Sequence, residues 1–361
     1  MPLIAATLFA QDTFQGVERI VAVGDVHGDL DQFVTVLRSA GVIDSKNKWK
    51  GGKTHLVQTG DIPDRGPGTR KILDLLMDLE KQAKKAGGMV HPLIGNHEAM
   101  NLYGDLRYVT PEEFEAFKTG DSQQILDNYF EQVEYPELQK KSPSASSAEL
   151  KKAWLKDHPL GWVEQRFAYG PKGKYGEWIR KNDAVIKVND IVFMHGGWSP
   201  KYAEKTIADL NTAVHFELAD FSRLPGGIVM DTEGPLWYRG LARDPEAALQ
   251  EHLDKLLNAL QAKALTIGHT PTAGAVLTRF DGRVIMIDVG MSKVYGGPPA
   301  CLVIEGGKRM ALHRGKLLEL PSDKASMLAY LKAAAALDPQ PSPLQKLIDA
   351  GSSAELVKDD K

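Results

Sequence analysis

Three short clusters decide the fold: Gly24-Asp25-Val26-His27-Gly28, Gly60-Asp61-Ile62-Pro63-Asp64-Arg65-Gly66 and Gly95-Asn96-His97-Glu98. Each directly follows an apolar run of strand length, Arg19 to Val23, Thr54 to Thr59 and Met89 to Ile94. The first two are followed by apolar residues at helical spacing: Leu30, Phe33, Val34 and Leu37, then Ile72, Leu73, Leu75, Leu76 and Leu79. Strand, polar loop and helix in repeated order predict an α/β fold with the clusters at the carboxyl ends of the strands, where such sheets place ligands.

Further along, Asp190 to Met194 delivers His195-Gly196-Gly197, and the strand Ala264 to Ile267 ends at Gly268-His269. Short strands around Ala275 to Phe280, Val284 to Asp288, Cys301 to Ile304 and Met310 to His313 are expected to complete a second sheet. Between these halves the texture becomes polar and helical. Residues 99–180, with Trp154, Trp162 and Trp178, read as a helical insertion over the site, its aromatic residues serving packing. The resulting division is an N-terminal arm (1–16), a main domain (17–320) containing the insertion, and a C-terminal helix with a loosely held polar tail (321–361).

Composition excludes several classes. A net charge of -3 provides no global basic field, so nucleic acid is not an expected partner. One cysteine, Cys301, rules out an internal disulfide framework and a multi-thiolate zinc site; it reads as a buried strand residue. No run approaches the roughly 18 apolar residues that span a bilayer, so no transmembrane segment is expected. Leu3 to Ala10 resembles the rear half of a secretory signal without its basic start, or else a frayed arm or added strand. Those readings correspond to export to the periplasm and to the cytoplasm, respectively.

The strand ends thus offer Asp25, His27, Asp61, Asn96, His195 and His269, oxygen and imidazole donors suited to divalent metals of intermediate softness. Two such ions roughly 3.5–4 Å apart can polarise a phosphoryl group and activate a water, and their closeness calls for a shared anionic ligand, for which Asp61 is the natural candidate. His97 is placed to protonate a leaving group if Asp64 orients its ring. Arg65 and Arg239 are planar cations suited to phosphate oxygens. The remaining histidines, among them His55, His91, His158, His215, His252 and His313, are expected to be structural or exposed.

With Arg239-Gly240 added, this ordered set resembles the phosphoprotein phosphatases of the calcineurin-like metallophosphoesterase superfamily. The resemblance implies a central β-sandwich flanked by helices in α-β-β-α layers, and two divalent cations, manganese foremost, with iron or zinc as alternatives. It gives Asp25, His27 and Asp61 to one metal and Asp61, Asn96, His195 and His269 to the other. It makes His97 the general acid supported by Asp64, with Arg65 and Arg239 clamping phosphate. The implied reaction is direct attack of a metal-bound hydroxide on phospho-Ser, phospho-Thr or phospho-Tyr of a protein or peptide, without a phosphoenzyme. Ile62-Pro63 replaces the Tyr-Val usual in the eukaryotic enzymes, and their toxin-binding loop has no counterpart near Asp288 to Gly297. With the enlarged insertion, these departures make the chain similar to the Shewanella-like protein phosphatases. A dinucleoside polyphosphate hydrolase shares the same clusters and is the alternative enzyme reading; a catalytically dead binding module is the non-enzyme alternative.

Overall fold

The structure, a computed structural model, describes residues 12–351 and 356–357; the apolar stretch Leu3 to Ala10 lies outside the described residues. The first half of the chain lays down strands β1 (Thr13–Phe14), β2 (Arg19–Val23), β3 (His55–Gln58) and β4 (Met89–Pro92). Between and after them come helices α1 (Leu30–Ser39), α2 (Thr69–Lys85) and α3 (Asn96–Tyr103). The insertion contributes α4 (Pro111–Phe117), α5 (Ser122–Tyr129), α6 (Tyr135–Lys141), α7 (Ser147–Trp154), α8 (Trp162–Tyr169) and α9 (Lys174–Ile179). Then follow β5 (Val185–Val188), β6 (Ile191–Met194), α10 (Ile207–Ala219), α11 (Gly240–Arg243), α12 (Glu246–Ala259) and β7 (Ala264–Ile267). The chain closes with β8 (Leu277–Arg279), β9 (Val284–Met286), β10 (Ala300–Glu305), β11 (Lys308–His313), β12 (Lys316–Glu319), α13 (Lys324–Ala335) and α14 (Pro343–Asp349).

Two six-stranded sheets result, in the orders β12-β11-β10-β2-β3-β4 and β1-β5-β6-β7-β9-β8. In each sheet three neighbouring strands run parallel, β2-β3-β4 at one end of the first and β6-β7-β9 in the second. These strands are buried along most of their length and share one apolar core with α1, α2, α10 and α12, as expected of parallel strands covered on both faces. The architecture is a two-sheet α/β sandwich with helices on its outer faces, as the resemblance implied. It sets the carboxyl ends of β2, β3, β6 and β7 on one rim.

The structure corrects the sequence reading in several places. The four late strands do not all join the second sheet: β8 and β9 do, but β10 and β11 extend the first, with Leu302 opposite Ala22 and Val303 opposite Val21. Thr13–Phe14, placed in the arm, pair in parallel with Lys187 and Val188, and Phe14 enters the core. The C-terminal helices α13 and α14 dock on the main domain. Tyr330, Leu331, Ala334, Ala335 and Leu344 are buried in the main core, and the Tyr330 hydroxyl donates to the Val276 carbonyl at 2.8 Å.

The insertion adds no strand among the described residues and builds a small core of its own from Leu126, Phe130, Trp154 and Val163, with Trp162 packed against it. Trp178 instead donates its indole N–H to Glu80 of α2 at 2.8 Å. α5 continues through a π-turn at Phe130–Glu134 into α6. Among the described residues no helix is long and apolar enough to cross a membrane.

Candidate metal centre and active site

Asp25, His27, Asp61, Asn96, His195 and His269 meet in one cluster, each at most 4% exposed. Asp61 is its centre, 3.8 Å from His27 Nε2 and 3.2 Å from His195 Nε2. Two groups of candidate ligand atoms, from His27, Asp61 and His97 and from Asp61, His195 and His269, each lie within 4.8 Å of one another and share Asp61. Asp25 closes the cluster by accepting the His269 backbone N–H at 3.0 Å.

What lies behind each imidazole fixes its tautomer. His195 Nδ1 donates to the Thr59 carbonyl at 2.9 Å, His27 Nδ1 to the Pro63 carbonyl at 3.1 Å, and His269 Nε2 to the Trp237 carbonyl at 3.1 Å. The other nitrogen of each ring therefore turns a lone pair inward, the arrangement by which outer partners orient metal-binding histidines. His195 Nε2 consequently faces Asn96 Oδ1 at 2.8 Å, His269 Nδ1 at 3.1 Å and Asp61 Oδ1 at 3.2 Å. Four electron-rich atoms converge with no proton to share.

The electrostatics agree. Burial, reinforced by His97, pushes His27 down to about 3, and burial with His195 drives His269 well below the usual histidine range, so both rings are neutral. Burial raises the Asp25 carboxyl well above its ordinary value, and the charges of Asp288 and Asp61 raise it further. Buried carboxylates crowded against inward lone pairs fit divalent cations, which remove both conflicts at once.

The backbone is bent to make this possible. His27, Asp61, Asp64, Arg65 and His269 all have φ between 45° and 73°, left-handed values costly for residues with a side chain. Gly60, beside Asp61, takes a left-handed turn with φ of 96°. Gly95 is required for another reason: a Cβ there would lie 2.3 Å from Asp61 Oδ1.

Asn96 and His97, read as loop residues, occupy the first turn of α3. His97 Nδ1 donates to Asp64 Oδ2 at 2.5 Å, leaving Nε2 directed toward the cluster, 3.7 Å from Asp61 Oδ2. Burial disfavours the imidazolium, yet the carboxylates of Asp61 and Asp64 outweigh it and push His97 up to about 9. Asp64 is itself fixed by Asn101 Nδ2 at 2.8 Å and through its N–H by Glu113 at 3.0 Å. The Arg65 guanidinium lies between the rings of Tyr108 and Tyr295, 4.9 and 5.2 Å from their centroids. Arg239 donates to the His269 carbonyl at 2.5 Å.

Sequence reasoning assigned no role to Glu98, Asn101, Tyr108, Asp288 or Tyr295. Glu98 was legible in principle, as the carboxylate that caps a helix three residues after Gly95. It accepts from the backbone N–H groups of Gly95, Asp61 and Ile62 at 2.8, 2.8 and 2.7 Å, locking the Asp61 turn onto α3. Glu98→Ala strands these buried donors and is expected to cost on the order of 3 kcal/mol or more, read as a lower midpoint in chemical denaturation. The remaining histidines lie outside the cluster: His55 and His91 bond each other at 3.0 Å, His158, His215 and His252 bond backbone carbonyls, and His313 bonds Asp338.

A two-sheet α/β sandwich carrying this cluster on its rim defines a metallophosphoesterase. The calcineurin-like phosphoesterase family matches residues 18–273. An uncharacterized protein of Schizosaccharomyces pombe is 33% identical over 83% of this chain and 82% of its own length. Shewanella-like protein phosphatase 2 of Arabidopsis thaliana is 32% identical over 78% of this chain and 74% of its own. The crystal structure of a cold-active protein-tyrosine phosphatase from a psychrophilic Shewanella species superposes with a TM-score of 0.66 at 30% identity, covering 86% of this chain and 82% of that one. The chain belongs to the calcineurin-like phosphoesterases and, within them, to the Shewanella-like protein phosphatases; it is a metal-dependent phosphatase.

Proposed function

We propose that the protein removes phosphate from phosphorylated side chains of proteins or peptides, with phosphotyrosine first among phospho-Ser, phospho-Thr and phospho-Tyr. The observation that carries this is the convergence of His195, Asn96 and His269 lone pairs on Asp61, beside the Asp64-oriented His97. Asp25, His27 and Asp61 would hold one cation and Asp61, Asn96, His195 and His269 the second. When bound, two such divalent cations polarise the phosphoryl oxygens and supply an activated water. Imidazole, carboxylate and amide donors together accept manganese, iron or zinc, and manganese is the cation proposed.

The chain's own groups then divide the work. Arg65 and Arg239 hold the non-bridging phosphate oxygens, Arg65 resting over the rings of Tyr108 and Tyr295. His97 Nε2 gives its proton to the departing side-chain oxygen, and Asp64 keeps that nitrogen aimed and protonated. The rings of Tyr108 and Tyr295 form apolar walls beside Arg65 that suit an aryl leaving group. The tyrosine-phosphatase relative from Shewanella supports the same choice of substrate.

A phosphopeptide panel with a diadenosine tetraphosphate arm tests this reading. Phosphotyrosine peptides are expected to turn over fastest; faster hydrolysis of the dinucleotide would overturn it. Chelation with EDTA is expected to abolish turnover and lower the melting temperature, because a ligand that binds only the folded state stabilises it. Manganese should restore both, as a phosphatase assay and a thermal melt would report.

A further inference from the structure

A concavity of about 240 Å³ adjoins the candidate active site and is lined in part by His27 of the metal cluster and by Arg65. Its remaining wall includes Gly68, Lys71, Ser292 and Lys293. Gly68 caps the 17-residue helix α2 without a side-chain hydrogen bond, and the first turn of that helix contains no acid but Arg70 and Lys71. Helix starts ordinarily attract acidic side chains, since their N–H groups and dipole carry positive charge; here the turn itself holds no acid, a lysine is added to it, and the neighbouring Glu113 carboxylate is taken up by the Thr69 hydroxyl and the Asp64 N–H. Ser292 is 2% exposed, and its hydroxyl has no hydrogen-bond partner among the described residues.

Two carboxylates also line the pocket. Asp29 is committed, accepting the Gln32 N–H at 3.1 Å and the Lys293 N–H at 3.0 Å. Asp31 is exposed and only 3.8 Å from an equally exposed Lys293 Nζ, a contact that solvent screens. The balance of Arg65, Lys71, Lys293 and the start of α2 over Asp29 and Asp31 favours an anion.

We propose that this pocket receives an anionic side chain of the substrate, a carboxylate or a second phosphate, lying a few residues from the phosphorylated one. The assignment rests on the protein-phosphatase reading and names a feature of its substrates. Residues in an extended peptide advance about 3.3–3.6 Å each, so a near neighbour of the reacting residue reaches a pocket that shares His27 and Arg65 with the candidate active site.

The test compares three phosphotyrosine peptides on the manganese-loaded protein: one with neutral flanks, one with flanking glutamates and one with a flanking second phosphoresidue. The wild type should show kcat/KM about tenfold higher for the anionic peptides. Preference for both would admit either anion, and preference for the diphosphorylated peptide alone would identify phosphate. The double variant Lys71→Glu, Lys293→Glu should erase that preference while leaving hydrolysis of p-nitrophenyl phosphate, which has no flanks, unchanged. Indifference of the wild type to flanking charge, or equal loss by the variant on neutral and anionic peptides, would overturn the proposal. Fluorescence anisotropy of the peptides reads the pocket separately from turnover, and anionic peptides binding no tighter than the neutral one would likewise overturn it. Failure of the wild type to hydrolyse p-nitrophenyl phosphate would count against the phosphatase reading instead.

Discussion

Asp61→Asn is expected to lower phosphatase activity about a thousandfold, on the order of 4 kcal/mol of transition-state stabilisation, while the protein stays folded. Asp61 is the member common to both groups of candidate ligands, so removing its charge weakens both cation positions together. Asparagine is close in size and its backbone N–H would still be held by Glu98 at 2.8 Å, so the turn should survive. Metal analysis after loading with manganese should find fewer than two equivalents per chain, with an unchanged circular dichroism spectrum. Near-wild-type turnover with full metal content would remove Asp61 from the centre and with it the bridged arrangement.

His97→Asn should separate substrates by their leaving group. Loss of a general acid costs typically about 10²–10⁴-fold, but only where the departing oxygen needs a proton. The expected pattern is a large loss on phosphoserine, a smaller one on phosphotyrosine and the least on p-nitrophenyl phosphate. Asp64→Asn should follow the same order at reduced size, because it disturbs the aim and charge of His97 and leaves the ring in place. Equal losses across the three substrates would assign His97 to binding or to metal ligation, a role its 3.7 Å distance from Asp61 Oδ2 makes the natural competitor.

The site was more legible than the fold. Asp25, His27, Asp61, Asn96, His195 and His269 announce themselves because each terminates an apolar strand beside a glycine, and strand ends on one rim of an α/β sandwich must converge. Asp288, Tyr108 and Tyr295 carry no such signature: they reach the site from the end of β9, the insertion and the loop before β10, and only tertiary packing reveals them. Strand partnership was equally hidden. The short runs of β8, β9, β10 and β11 do not declare a sheet in sequence, and what sends two to each is the pairing of β10 with β2, far away along the chain, and of β9 with β7. Positive φ at His27, Asp61 and His269 was also unforeseen. Local preference opposes it, and only the surrounding hydrogen bonds sustain it.

The pairing of β10 with β2 carries a consequence for how activity arises during synthesis. The strand that delivers Asp25 and His27 has β3 on one side and β10 on the other, so its second neighbour is translated roughly 280 residues later. A nascent chain on the ribosome can therefore contain every candidate ligand and still lack the flank that seats the first of them, a delay typical of folds rich in distant contacts. Premature termination just after His269 would release an inert, aggregation-prone polypeptide rather than a crippled hydrolase.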